Sequence, residues 1–255
     1  MEVNFMELTE LLPELIKDLA PTGPLPTEHS AQFAYWRQLI TTKKTADLPK
    51  GYLTKEDQLL EFIWKKRDTL ELTDFEELST GIYLTQGDLT QVKADAIVDP
   101  CAPHMLGCFK PEHVCLDNEI HVFAGSRLRQ ECTQMMQGTV ATVGQARITK
   151  GYHLPAKYVI HTLPPQVKGN LTAAQRKALE NCYHACFTLA LEYQLKSLAF
   201  SCLATGSANF PNDVAAKIAI SSAKRFHQKH PELKMIFNTY KDIDYNLYHY
   251  LLTQR

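Results

Sequence analysis

From Gly81 onward the chain alternates short β-rich runs with helical ones, and this alternation constrains the fold more than any other feature. IYLTQ from Ile82, ADAIV from Ala94, QARIT from Gln145, KYVIHTL from Lys157, SLAFSCL from Ser197 and KMIFNTY from Lys234 read as strands. Helical periodicity fills roughly 117–136, 172–193, 212–229 and 242–252. Such alternation predicts a three-layer α/β domain over residues 81–255. AIV and LAF are near-continuous apolar, as buried central strands are, and ligands in such sheets collect at the carboxyl ends of strands. Sites are therefore expected in the loops after Gln86, Val98 and Leu203.

Residues 1–80 differ in texture. Leu11, Leu12, Leu15, Ile16 and Leu19 share a helical period, the PTGPLPT segment interrupts it, and a second helix is expected over Tyr52 to Trp64, opening at Thr54 with Glu56 and Asp57 in its first turn. An N-terminal helical extension packed on the main domain follows.

Composition narrows the function. With 27 basic and 28 acidic residues in 255, the net charge of -1 gives no broad attraction to nucleic acid or anionic membrane. The chain has no long apolar run, and its start, MEVNFMELTELLPELIKDL, carries acids where a signal peptide carries bases, so a soluble cytoplasmic protein is expected. Seven irregularly spaced cysteines then read as thiols or thiolate ligands rather than a disulfide framework.

The most specific motif is Cys108-Phe109-Lys110-Pro111-Glu112-His113-Val114-Cys115. Two thiolates and an imidazole match zinc, and three protein ligands leave a fourth position open. Cysteines are often buried for packing alone, but a Pro-containing loop has no apolar period to explain these three, so the metal reading outweighs packing. Cys182 and Cys186 share an apolar helical face with Leu179, Leu189 and Tyr193 and read as core; Cys132 and Cys202 read likewise. Asp117 and Asn118 read first as helix caps, although a helix N-terminus beside a metal also suits an anion; His121 reads as structural.

The loop Ala204-Thr205-Gly206-Ser207-Ala208-Asn209-Phe210, between a strand and a helix expected to be capped by Asn212, can offer backbone N–H groups to phosphate oxygens, with Phe210 against a sugar or base. By itself it reads first as an ordinary connection. Asp88, ending the first strand, can accept from an exocyclic amine while the Leu89 N–H donates to a ring nitrogen; in isolation Gly87-Asp88 is simply a turn.

Taken in order, QGDLT, ADAIV, LGCFKPEHVCLDNEIHVFAGSRLRQEC, ARITKGYHLPAKYVIHTL and LATGSANFP resemble the motifs of the macrodomain family, and the Cys108, His113, Cys115 insertion is similar to that of its zinc-dependent branch of microbial protein-ADP-ribose hydrolases. The resemblance implies an α/β/α macrodomain with a mixed central sheet that binds ADP-ribose and hydrolyses ADP-ribosyl groups from modified protein side chains. It implies zinc on Cys108, His113 and Cys115, adenine at Asp88 and Leu89, pyrophosphate at Ala204 to Phe210, further ligand contacts from Asp99, Leu116 and Asp117, and catalytic roles for Asp99, Asp117 and Asn118. One segment departs from the family: Asp99-Pro100-Cys101-Ala102 stands where Asn-Ala-Ala-Asn is usual, both amides are gone, and Cys101 becomes a candidate fourth thiolate. Asn209 stands where glycine is usual, a residue tolerant of positive φ. The alternative the departure raises is a reader of ADP-ribose that keeps a structural zinc without turnover.

Overall fold

The computed structural model describes residues 5–254, with side chains from Glu10 onward; the first four residues of the acidic N-terminal segment, and Arg255, lie outside the described residues. Three helices come first, α1 (Phe5–Leu19), α2 (His29–Thr42) and α3 (Tyr52–Lys66). The domain then runs β1 (Glu76–Ser79), β2 (Ile82–Gln86), β3 (Ala96–Pro100), α4 (Leu116–Ala124), α5 (Ser126–Met136), β4 (Ala146–Lys150), β5 (Tyr158–Thr162), α6 (Ala173–Glu192), β6 (Ser197–Phe200), α7 (Asn212–His227), β7 (Lys234–Thr239) and α8 (Asp242–Thr253). Among the described residues no helix is long and apolar enough to cross a membrane.

The strands form one sheet in the order β1-β2-β7-β6-β3-β5-β4. Its five inner strands run parallel and the two edge strands antiparallel, so the sheet is mixed as expected. Leu179, Tyr183 and Phe187 of α6, Ala215 and Ala219 of α7 and Tyr248 of α8 cover one face, over Val98, Phe200 and Phe237. Ile120 and Phe123 of α4 with Leu128 and Cys132 of α5 cover the other, over Ile97, Val159, Ala199 and Ile236. Cys182, Cys186 and Cys132 are buried in these cores, as their helical periodicity predicted, and Cys202 packs against one from just beyond the end of β6 rather than from within a strand.

The extension has a core of its own, with Leu15, Ile16, Trp36, Tyr52, Leu59 and Leu60 around Val122 of α4. Polar contacts lock it onto α4 and α5. Arg129 donates to the Ile40 and Lys43 carbonyls at 2.9 and 2.7 Å, meeting the unsatisfied C-terminal end of α2. Buried Glu56 accepts from Ser126 N at 2.7 Å and Ser126 Oγ at 2.9 Å, where α5 begins. The Trp64 indole donates to the Phe123 carbonyl at 3.1 Å.

Several local expectations are corrected. The β1–β2 hairpin brings Glu76–Ser79 into the sheet ahead of the division placed at Gly81; its charged, exposed sequence carries no buried-strand signature, because β1 is an edge strand. The single helix expected over 117–136 is two, broken at Gly125, whose φ of 89° suits a residue without Cβ and whose missing Cβ leaves room for Leu60 of α3, 2.7 Å from where it would stand. Asp117 and Asn118 do not cap α4; Cys115 occupies that place, and both side chains are drawn inward. Pro211 rather than Asn212 precedes α7, and the Asn212 amide donates to Asp244 of α8. Helix α3 opens at Tyr52, which places Glu56 and Asp57 in its second turn, against α5.

Candidate functional site

Strands β2, β7, β6 and β3 are parallel, so their carboxyl ends open on one edge of the sheet. That edge receives Gly87-Asp88 after β2, the 101–115 loop after β3, the 201–211 loop after β6 and Tyr240 after β7. The sequence placed three of these four loops; Tyr240 was passed over. It is 79% exposed, the Gln86 side chain reaches its carbonyl, and Gly87 N bonds the Thr239 carbonyl, so the ring stands free beside the Asp88 turn. A large aromatic spared from the core at the end of a buried strand was the available signal.

Cys108, His113 and Cys115 come together as expected, their ligand atoms all within 4.8 Å of one another, and Cys108 Sγ lies 3.4 Å from His113 Nδ1. The loop is pinned from below. Arg129 donates to the Leu106 carbonyl at 2.9 Å and lies under Phe109, and Gly107 (φ 85°) rests on His121, where a Cβ would stand 2.7 Å from Cγ. Cys101 does not join the trio. It is buried with Met105, Met136 and Ala141, and burial in that apolar pocket pushes its thiol well up.

Asp88 is half-buried, its carboxylate accepting from Thr90 N at 2.8 Å and Thr90 Oγ1 at 2.7 Å and paired with Arg67. Arg67 in turn lies 4.0 Å from the centroid of Phe123. Leu89 is buried and Leu116 half-buried. In the 201–211 loop, Ala204 and Asn209 both have positive φ, 69° and 54°, so Asn209 adopts the backbone for which it was judged tolerant. Thr205, Asn209 and Phe210 N–H groups bond within the loop, whereas those of Gly206 and Ser207, both exposed, have no protein acceptor among the described residues. Phe210 is corrected: its ring is 1% exposed in the core and is not free to touch a ligand.

The three candidate catalytic side chains are all buried. Asp99 lies inside β3 rather than after it. Cys101 N bonds Thr162 of β5, so alternation turns the Pro100 nitrogen toward β6, whose pairing ends at Val98, and the proline costs no sheet hydrogen bond. The same alternation sends the Asp99 side chain toward α4 and α5, where it meets His161 Nδ1 at 2.8 Å. Burial pushes its carboxyl up to about 7. Asp117 accepts from Ala102 N at 3.3 Å and is held well above the usual carboxylate range by burial and by Asp99. His121, 3.6 Å from Asp117, is kept neutral by burial. Asn118 accepts from Thr41 Oγ1 at 3.1 Å and serves the contact with α2.

Comparison with known proteins agrees with this architecture. The family model described as Macro domain matches residues 98–219. A protein-ADP-ribose hydrolase of Staphylococcus aureus strain MSSA476 is 34% identical over 88% of this chain and 86% of its own length. A solved Oceanobacillus iheyensis macrodomain with ADP superposes with a TM-score of 0.63 at 26% identity, covering 70% of this chain and 93% of that one. A Trypanosoma brucei macrodomain in complex with ADP-ribose shares the fold over 94% of this chain and 95% of its own, with a TM-score of 0.64 at 24% identity. By its sheet order, its carboxyl-edge loops and these similarities, the chain belongs to the macrodomain family.

Proposed function

We propose that this protein binds ADP-ribose across the carboxyl edge of its sheet and hydrolyses ADP-ribosyl groups from modified protein side chains, with zinc on Cys108, His113 and Cys115. The observation that carries the reading is the convergence of the Asp88 turn, the Cys108–Cys115 loop and the Gly206–Ser207 backbone on that one edge. Its support from relatives is the activity for which the S. aureus protein-ADP-ribose hydrolase is named.

The donor set fits zinc, two soft sulfurs and one nitrogen that would leave one of its four coordination positions to another ligand. When bound, such an ion polarises an oxygen or lowers the pKa of a water. The chain's own residues orient the ligand. Asp88, held in place by Thr90 and Arg67, offers a carboxylate edge to an exocyclic amine, and Tyr240 offers a face to the base. Gly206 and Ser207 present N–H groups to the pyrophosphate just ahead of the α7 N-terminus. Two metal-binding thiolates also suit a reducing compartment, which supports a cytoplasmic setting.

A second reading, an ADP-ribose reader without turnover, is favoured by one observation: Asp99, Asp117 and Asn118 are all turned inward. Single-turnover assay on an ADP-ribosylated protein separates the two. Hydrolysis predicts free ADP-ribose at stoichiometric protein, lost on chelation and restored by zinc. Tight ADP-ribose binding with no release would leave the reader.

A further inference from the structure

Beneath the cysteine loop lies a second cluster of metal-ligating groups that the proposed function does not use. Asp99, Asp117 and His121 bring ligand atoms within 4.8 Å of one another, and all three side chains are buried. Among the described residues four of their polar atoms have no hydrogen-bond partner: Asp99 Oδ1, Asp117 Oδ1, and Nδ1 and Nε2 of His121. Leaving that many polar atoms unpaired in a dry interior is costly, and an ionised carboxylate pair there costs more. Arg129 places a positive charge near Asp117 but gives these atoms no hydrogen bond: its Nε and Nη1 donate to the carbonyls of Leu106, Ile40, Thr41 and Lys43.

We propose that Asp99, Asp117 and His121 bind a second divalent cation of the zinc type, separate from the one assigned to the cysteine loop. The oxygen and nitrogen donors suit that class, and the 3.6 Å between Asp117 Oδ1 and His121 Nε2 is close to the ~3.3 Å edge of a tetrahedron with bonds of about 2.0 Å. The remaining oxygens of the carboxylates are held by the fold. His161 Nδ1–H donates to Asp99 Oδ2 and its Nε2 lies 2.9 Å from Thr149 Oγ1, which holds the ring in place and aims Oδ1 inward. Ala102 N does the same for Asp117 Oδ2. Such outer hydrogen bonds are what orient metal ligands. The rival occupant is a proton shared between the two carboxyls.

Metal stoichiometry decides between them. The full chain is unfolded with chelator, refolded with excess zinc so that entry to the buried site is not limiting, freed of loose metal and analysed for zinc. Two zinc per chain are expected. Cys108→Ser/Cys115→Ser should retain one, and Asp99→Asn should retain one while its loop thiols stay protected from a thiol reagent. A wild type holding one zinc with none in the cysteine variant means a shared proton and overturns the proposal, as does Asp99→Asn that still holds two. Because the readout is metal content, failure of the hydrolase reading would leave it untouched. The Asp99→Asn arm keeps the test decisive if the cysteine variant does not fold.

Discussion

Asp99 Oδ2 and His161 Nδ1 lie 2.8 Å apart, facing each other across two paired strands with both side chains wholly shielded from solvent. Asp99→Ala leaves the imidazole N–H unpaired in the interior and should cost about 1–3 kcal/mol in denaturant unfolding of the metal-free protein. Asp99→Asn keeps an acceptor for His161 and can donate to Asp117, so it should change that stability by less than about 1 kcal/mol. Equal losses for both variants would show that the hydrogen bond is not what matters.

Zinc content tests the loop. In the Asp99→Asn background, where the buried site is removed, one zinc per chain should remain, and adding Cys108→Ser, His113→Ala or Cys115→Ser should lower it. Cys101→Ala should leave it unchanged, since Cys101 packs with Met105 and Met136. Zinc lost on Cys101→Ala would place that thiol among the ligands.

Tyr240→Ala should weaken ADP-ribose binding by about 1–3 kcal/mol, the range for loss of a base-stacking aromatic. The ring is 79% exposed, so thermal stability should hardly move. Calorimetry finding unchanged affinity would remove the base from that face.

The buried Glu56 carboxyl is pushed up by burial to about 7 from 4.5, against the lowering effect of Ser126. Between these values the folded protein binds more protons than the unfolded chain, so this group's contribution is fully present below about pH 4.5 and declines as pH rises through about 7. Unfolding free energy should therefore fall by roughly 3 kcal/mol across that window from this residue. Glu56→Gln should flatten the decline; an identical pH profile for the variant would exclude Glu56 as its source.

Arg129 ties the extension to the site, reaching the Ile40 and Leu106 carbonyls from one guanidinium. Arg129→Met should leave those carbonyls unsatisfied at a cost of about 2–4 kcal/mol and should loosen zinc on the cysteine loop. Unaltered metal affinity would mean that the loop holds its shape without the extension.

The layer architecture, the strand-and-loop order and the Cys108–His113–Cys115 trio were legible in the sequence because they depend on local quantities. Apolar period distinguishes strand from helix, and a soft-ligand loop advertises itself within eight residues. The break at Gly125, the edge strand β1 and the inward turn of Asp99, Asn118 and Phe210 were not legible. Each depends on a residue distant in the chain: Leu60 against Gly125, His161 opposite Asp99, Thr41 beside Asn118. Alternation assigns Asp99 and Pro100 to opposite faces of a strand, but only the finished sheet decides which face is packed beneath helices and which neighbour receives the missing N–H. The sequence by itself determined which groups are available for the proposed ADP-ribose and metal roles; the tertiary structure decided which of them meet solvent and which meet one another, because burial and hydrogen-bond partnership belong to the packed chain and not to any segment of it.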